Sequence, residues 1–374
     1  MKTYLVTGGA GFIGSNFVHY VLEAQDDVRI VNVDKLTYAG NLENIADLAQ
    51  HPRHVFEQVD ICDAVALDRL FTKFEPDVVV NFAAESHVDR SIHDCSSFVR
   101  TNIEGTATLL QVAKDDWEQP DGSFGEHLFL QVSTDEVYGS LSLENADEAF
   151  TESTPLDPHS PYSASKASAD MLVKSFYDTY KFPAVITRCS NNYGPFQFPE
   201  KLIPLCIKNC LEHEKIPVYG DGLNVRDWLF VKDHCAAIDC VLRNGVAGNV
   251  YNIGGCNEHS NIEIVKTIIA CVSGAIEDEE INDSLIEYVQ DRKGHDRRYA
   301  ICAEKIADNL GWEPQASWQD GIADTIIWYL QHSGWLSRVE SGEYRKFDAG
   351  VFNKDFPRED CLDESDEYKS GKDK

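Results

Sequence analysis

The sequence predicts an α/β fold: a doubly wound parallel sheet carrying a smaller C-terminal mixed α/β lobe. Three observations predict it. A glycine-rich turn, GGAGFIG, follows an apolar run at residues 4–7 and opens a helix. Short continuous apolar runs then alternate with helical periodicity up to residue 194, the pattern of strands buried on both faces and joined by helical crossovers. At 374 residues the chain is longer than one ordinary domain, so a large lobe with a smaller one attached is the natural arrangement.

In order, the strand at 4–7 leads through the turn into a helix at 16–24, and a second strand at 29–33 closes on Asp34, completing a βαβ unit. A strand at 55–59 closes on Asp60, residues 63–73 are helical, 78–82 form a strand, 99–113 a helix and 128–132 another strand. Such a sheet takes its ligand at the carboxyl ends of its strands, where Asp34, Asp60, Ala83 and Ser133 fall. The first lobe is expected over 1–195, with segments at about 225–255 returning to it; 196–224 and 256–350 make the smaller, substrate-binding lobe. Residues 351–374, ending DESDEYKSGKDK, are charged and nearly without apolar pattern, and read as an acidic disordered tail.

Composition excludes several functions. With 43% hydrophobic residues the chain can bury a sizeable core. The formal charge of −30 argues against nucleic acid or an anionic membrane as partner, since either would require a basic face. Any anionic ligand must therefore be held by a local device, such as helix N-terminal amides or a few placed arginines. The N-terminus runs directly into a strand, and no apolar run approaches the ~18 residues of a membrane span, so a cytoplasmic protein is expected. The 11 cysteines show no metal-binding spacing and read as core thiols. His87 and Asp89 lack a third ligand at useful spacing, so no metal is expected.

The glycines Gly8, Gly11 and Gly14 in a strand-turn-helix context, with an acid some 20 residues on, point to a dinucleotide. Gly8 permits the tight turn, Gly11 lets backbone approach a pyrophosphate, and Gly14 lets helix pack on sheet, as in Rossmann-type folds. Asp34 would accept from the adenosine ribose hydroxyls and repel a 2′-phosphate, which selects NAD over NADP, although the neighbouring cation Lys35 complicates that choice. Asp60 and Ile61 would meet the adenine. Phe12, Ile13, Leu36, Thr37, Phe82, Ala83 and Ala84 are the adjoining cofactor candidates.

Tyr162 and Lys166 in PYSASK stand one turn apart on a helix face. A tyrosine titrating near ~10 acts as a base at neutral pH only if a cation lowers its pKa, the role open to Lys166. The glycine turn, NFAAESHVDRS, VSTDEVYG, YSASK and RCSNNYGP together resemble the extended short-chain dehydrogenase/reductase family, and within it the sugar-nucleotide dehydratase branch. The resemblance runs from about residue 1 to about 335, including RDWLFVKDH and RKGHDRRYA.

That resemblance implies a concrete chemistry. Thr134 would hydrogen-bond the sugar C4 hydroxyl while Tyr162 removes its proton, with Glu136 the base at C5 and Asp135 the acid at C6. Two adjacent carboxyls can have their pKa values split, leaving one charged and one protonated. Ser133 then reads as a strand-end residue. The implied substrate is dTDP-glucose, with UDP-glucose differing by one methyl. Arg226 and Arg292 would hold its diphosphate and nucleoside, and Asn191, Lys201, Leu202, Pro217, Tyr219, Asn261 and His295 would complete its site. Glu85 and Ser86 would reach the hexose, and Thr101 and Asn192 the cofactor. A homodimer through a four-helix interface, using the helices near 99–114 and 162–180, is also implied. The nearest rival is a sugar-nucleotide 4-epimerase, which shares fold and cofactor but lacks the acid pair; a non-catalytic NAD sensor would tend to lose Tyr162 or Lys166.

Overall fold

The computed structural model describes residues 1–145 and 147–356. In chain order its strands are β1 (Lys2–Thr7), β2 (Val28–Val33), β3 (His54–Glu57), β4 (Val78–Asn81), β5 (Leu128–Thr134), β6 (Ala184–Cys189), β7 (Asn191–Tyr193), β8 (Ile216–Tyr219), β9 (Val225–Phe230), β10 (Val250–Ile253), β11 (Glu258–Ser260) and β12 (Ile286–Val289). Seven of them form one parallel sheet in the order β10-β6-β5-β4-β1-β2-β3.

The strand sequences are apolar at consecutive positions because both faces of this sheet are covered. Leu5, Val31, Val79 and Phe129 face one side, against Phe71, Leu109 and Val173 from helices Ala64–Phe74, Thr106–Trp117 and Pro161–Tyr180. Tyr4, Val6, Ile30, Val80 and Leu130 face the other, against Phe17 of helix Phe12–Ala24 and Ile238 of helix Val231–Asn244. Each fully buried side chain of this kind contributes about 1.5–3 kcal/mol.

Register sets up the ligand side. Thr7 pairs with Val33 and with Asn81, so β1, β2 and β4 end level. Asn81 in turn pairs with Gln131, so β5 runs on past β4 through Val132, Ser133 and Thr134. The end of β5 therefore stands forward of its neighbour.

The second lobe gathers β11-β9-β7 into one small sheet and β12-β8 into another. Helices Leu202–Leu211, Asn261–Ile276 and Trp318–Gln331 close over a core containing Cys206, Ile264, Trp318 and Tyr329. Within the segment 225–255, β9 lies in this lobe, whereas helix Val231–Asn244 lies on the central sheet and β10 extends it.

Two elements depart from the sequence reading. The single helix expected at 99–113 is a π-helical stretch, Val99–Gly105, that passes into the α-helix Thr106–Trp117. Short π segments occur often beside functional sites, and this one presents Thr101 to the cleft and Asn102 to Glu85. Nor does the chain fray at residue 351. Phe352 is buried against Phe56, with ring centroids 5.4 Å apart, and Phe356 packs edge-on to Phe74 at 5.7 Å. The Phe56 N–H donates to the Asn353 carbonyl at 3.4 Å, so this segment covers the open edge at β3. The two phenylalanines outweigh the local charge. The rest of the expected tail, 357–374, lies outside the described residues.

Candidate active site

A cleft of about 310 Å³ opens along the carboxyl ends of the central strands. Its first wall is the glycine turn. Gly8 has φ of +71°, in the left-handed region, and a Cβ there would lie 2.7 Å from the Ala83 nitrogen. A Cβ on Gly14 would lie 2.2 Å from the Gly8 carbonyl oxygen, so helix and turn meet at backbone distance. The helix that follows is capped by Gly11, without a side-chain cap and without an acidic residue in its first turn. In a strongly acidic chain this leaves free amides and a positive dipole end facing the cleft, as a pyrophosphate requires.

Asp34 is buried at the end of β2, where its carboxylate accepts from the Leu36 N–H at 2.8 Å and the Ala10 N–H at 3.1 Å. Burial raises its pKa and these two bonds oppose the rise. Lys35 Nζ lies 2.6 Å from Asp60 Oδ2, so the cation that could have favoured a 2′-phosphate already has a counter-charge. The donor set and the glycine cradle fit NAD. Phe12, Ile13, Thr37, Asp60, Ile61, Phe82, Ala83, Ala84, Thr101 and Asn192 all line the cleft. Leu36 does not: its N–H holds Asp34, and its side chain packs on the core beneath.

Tyr162 and Lys166 enter the same cleft from helix Pro161–Tyr180. The start of that helix is fixed by a reciprocal capping box between Ser160 and Ser163, with Pro161 in the first turn. The Tyr162 N–H also donates to Ser91 Oγ at 3.2 Å. Burial, then Glu136, Cys189 and Asp135, push the Tyr162 pKa well up, while a hydrogen bond with Thr134 lowers it. Lys166, expected to provide the lowering charge, donates to the Val132 carbonyl at 2.7 Å, and burial depresses its own pKa.

Thr134 ends β5, and Asp135 and Glu136 open the 3-10 turn Asp135–Tyr138. The Thr134 hydroxyl accepts from the Glu136 N–H and donates to Asp135 Oδ1, each at 3.3 Å. Asp135 is buried and Glu136 half-buried, and the two are differently balanced. Asp135 is raised well above the carboxylate range by burial, then by the charges of Glu136 and Asp227, with Arg226 opposing. Glu136 is also raised by burial, but Arg292, Arg226 and Lys201 all pull it back. The two adjacent carboxyls thus sit in unequal electrostatic surroundings, with Asp135 raised the further.

The remaining sequence candidates divide between cleft and second lobe. Glu85, Ser86, Asn191 and Lys201 line the cleft, with Lys201 Nζ donating to the Ser86 carbonyl at 3.1 Å. Leu202, Pro217, Tyr219, Arg226, Asn261, Arg292 and His295 lie in the second lobe, outside that lining. Arg226 is buried, donating to the carbonyls of Val225 at 2.7 Å and Asp296 at 2.8 Å, with its guanidinium over the Tyr299 ring. Tyr219 is partly exposed beside His295, and Arg292 lies 3.8 Å from Asp89.

Sequence reasoning missed several contributors. Asn102 donates to the Glu85 carbonyl at 3.0 Å and to Ser165 Oγ at 2.8 Å, tying the cleft loop to the Tyr162 helix. Tyr38, Gln197 and Glu200 line the cleft from loops that carry no motif. The wide π turn that aims Asn102 leaves no pattern in the sequence.

Comparisons place these features among known proteins. A family model described as GDP-mannose 4,6 dehydratase matches residues 5–325. The dTDP-glucose 4,6-dehydratase of Neisseria meningitidis serogroup B is 51% identical over 350 residues, covering 92% of this chain and 98% of that protein. A dTDP-glucose 4,6-dehydratase of Bacillus anthracis solved in complex with NAD has a TM-score of 0.81 at 48% identity, covering 91% of this chain and 100% of that one. That of Streptomyces venezuelae, also with NAD bound, gives 0.82 at 45% identity over 90% and 99%.

Proposed function

The chain belongs to the dTDP-glucose 4,6-dehydratase family, and we propose that it uses NAD to convert dTDP-glucose to dTDP-4-keto-6-deoxyglucose with loss of water. The observation that carries this reading is the adjacent Asp135–Glu136 pair after β5, lining one cleft with Thr134 and Tyr162. An epimerase of this fold has no use for a second acid there.

Thr134 and Tyr162 act first, Thr134 holding the C4 hydroxyl and Tyr162 taking its proton. When bound, NAD supplies a positive ring that favours tyrosinate, accepts hydride from C4 and returns it to C6. The C4 ketone acidifies the C5 proton, which Glu136 removes; Asp135 protonates the C6 hydroxyl, which leaves as water. Glu136 then returns a proton to C5, and the proton held by Tyr162 replaces the one Asp135 gave. Lys166 holds β5 in place through Val132. Arg292, Arg226 and Lys201, which already pull the Glu136 pKa down, supply local positive charge for the substrate diphosphate.

The active form is a homodimer built on the helical residues 99–114 and 162–180. Val99, 50% exposed, and Met171, 59% exposed, support that face as the interface. No described helix is long and apolar enough to cross a membrane; we infer a cytoplasmic enzyme, as the sequence reading expects. The cofactor is carried by the central-sheet lobe, residues 1–190 with helix Val231–Asn244 and strand β10, while β7 and β9 join the second lobe. Incubation with NAD and either dTDP-glucose or UDP-glucose, followed by mass spectrometry, tests the assignment. A 4-keto-6-deoxy product from the thymidine nucleotide is expected; recovery of a C4 epimer with no loss of water would overturn it.

A further inference from the structure

Behind the cleft lies a buried polar chain that the proposed reaction does not use. Arg188 on β6 is 5% exposed and stands in register between Ser133 of β5 and Asn252 of β10. Its Nε donates to Asp170 Oδ2 at 2.8 Å, and Asp170 lies one turn after Lys166 on helix Pro161–Tyr180. Its Nη1 donates to the Tyr138 hydroxyl at 2.9 Å, and its guanidinium lies 4.8 Å from the centre of that ring. Tyr138 closes the 3-10 turn that Asp135 and Glu136 open, and its hydroxyl donates in turn to Asn252 Oδ1 at 2.8 Å. The Asn252 amide is itself anchored to the Phe150 carbonyl at 3.1 Å.

One side chain thus touches both halves of the machinery. The helix carrying Tyr162 and Lys166 serves the oxidation, and the turn carrying Asp135 and Glu136 serves the elimination. We propose that Arg188 is a positioning residue that fixes the elimination turn against the oxidation helix, with Tyr138 as its arm on the turn. This rests on the reading of the reaction given above. The guanidinium suits the task because its planar fork presents separate donors to two acceptors at once, which a lysine ammonium on a flexible stem does not. The core could have filled this space with apolar groups, as it does around Val173 on the same helix.

Tyr138→Phe is the decisive variant, since it keeps the ring and its contact with Arg188 and removes only the hydroxyl. The two steps are read separately, C4 oxidation by the absorbance of reduced nicotinamide and elimination by the mass of the product. The expected result is that oxidation stays within about twofold while elimination slows by about tenfold or more, so reduced nicotinamide accumulates during turnover. Arg188→Lys should show the same split. Val173→Ala provides the structural control, lowering Tm with no change in the ratio of the two steps. Equal loss of both steps in Tyr138→Phe, or an unchanged ratio in a folded protein, would overturn the proposal. A wild-type protein that neither reduces nicotinamide nor releases water from dTDP-glucose would instead remove the functional reading beneath it.

Discussion

At the cofactor end of the cleft the backbone does the recognising. Gly8 and Gly14 leave no room for a side chain, the helix after Gly11 offers uncapped amides, and Asp34 is held by two backbone N–H groups. At the elimination end, under the tip of β5, recognition rests on charge. Asp135 and Tyr162 are buried and Glu136 half-buried, and the states of the two acids depend on Arg226, Arg292, Lys201 and Asp227 from the second lobe and its approach. Shape is set locally by the sequence around a turn; charge balance is assembled from distant segments. The two ends should therefore fail in different ways.

The largest effect is expected at the first end. Gly14→Val places a branched side chain where even a Cβ would sit 2.2 Å from the Gly8 carbonyl, so NAD retention through gel filtration should be lost, and activity with it. Glu136→Gln should separate the two ends: NAD retention unchanged, product formation down by about 10²–10⁴-fold. Retained activity in the first variant, or loss of NAD in the second, would dissolve the distinction.

Dependence on pH sharpens it further. Glu136 must be ionised to act as base, and burial raises its pKa, so activity should fall as pH drops through that raised value. Asp135 must stay protonated to act as acid, and its pKa is raised further, so activity should fall again as pH climbs through it. The resulting bell should lie above the ordinary carboxylate range of about 4. NAD retention should stay flat as pH climbs through the Asp135 value and weaken only on the acid side, where Asp34, itself raised by burial, loses its charge. A profile of product formation that rises and falls in step with NAD retention would contradict this.

The smallest functional effect is expected at the C-terminal segment. Phe352 is 4% exposed against the edge at β3. Phe352→Ala should cost about 3 kcal/mol of stability, visible as a lower Tm, with kcat/KM at 25 °C nearly unchanged. A large loss of turnover at full stability would show that this segment reaches the cleft.

The same contrast explains what the sequence made legible. The glycine turn, Asp34 and the Tyr162–Lys166 spacing are local patterns, and the structure brings them into one cleft as expected. The parallel, helix-covered central sheet follows from strand-helix alternation for the same reason. Long-range pairings leave no such mark. Nothing near Arg226 announces that its guanidinium bonds the carbonyl of Asp296, and nothing near Tyr138 announces Arg188. Lys166 shows the limit most clearly, since its spacing from Tyr162 is legible but its bond to the Val132 carbonyl is not. The packed Phe352 was hidden by the charge of the residues around it.

The central claim is that the acid pair turns an oxidation into a dehydration, and the double variant Asp135→Asn, Glu136→Gln tests it most directly. With dTDP-glucose and bound NAD it should still form reduced nicotinamide, because Thr134 and Tyr162 are intact, yet release no 4-keto-6-deoxy product by mass spectrometry. Undiminished formation of that product by the double variant would contradict the account.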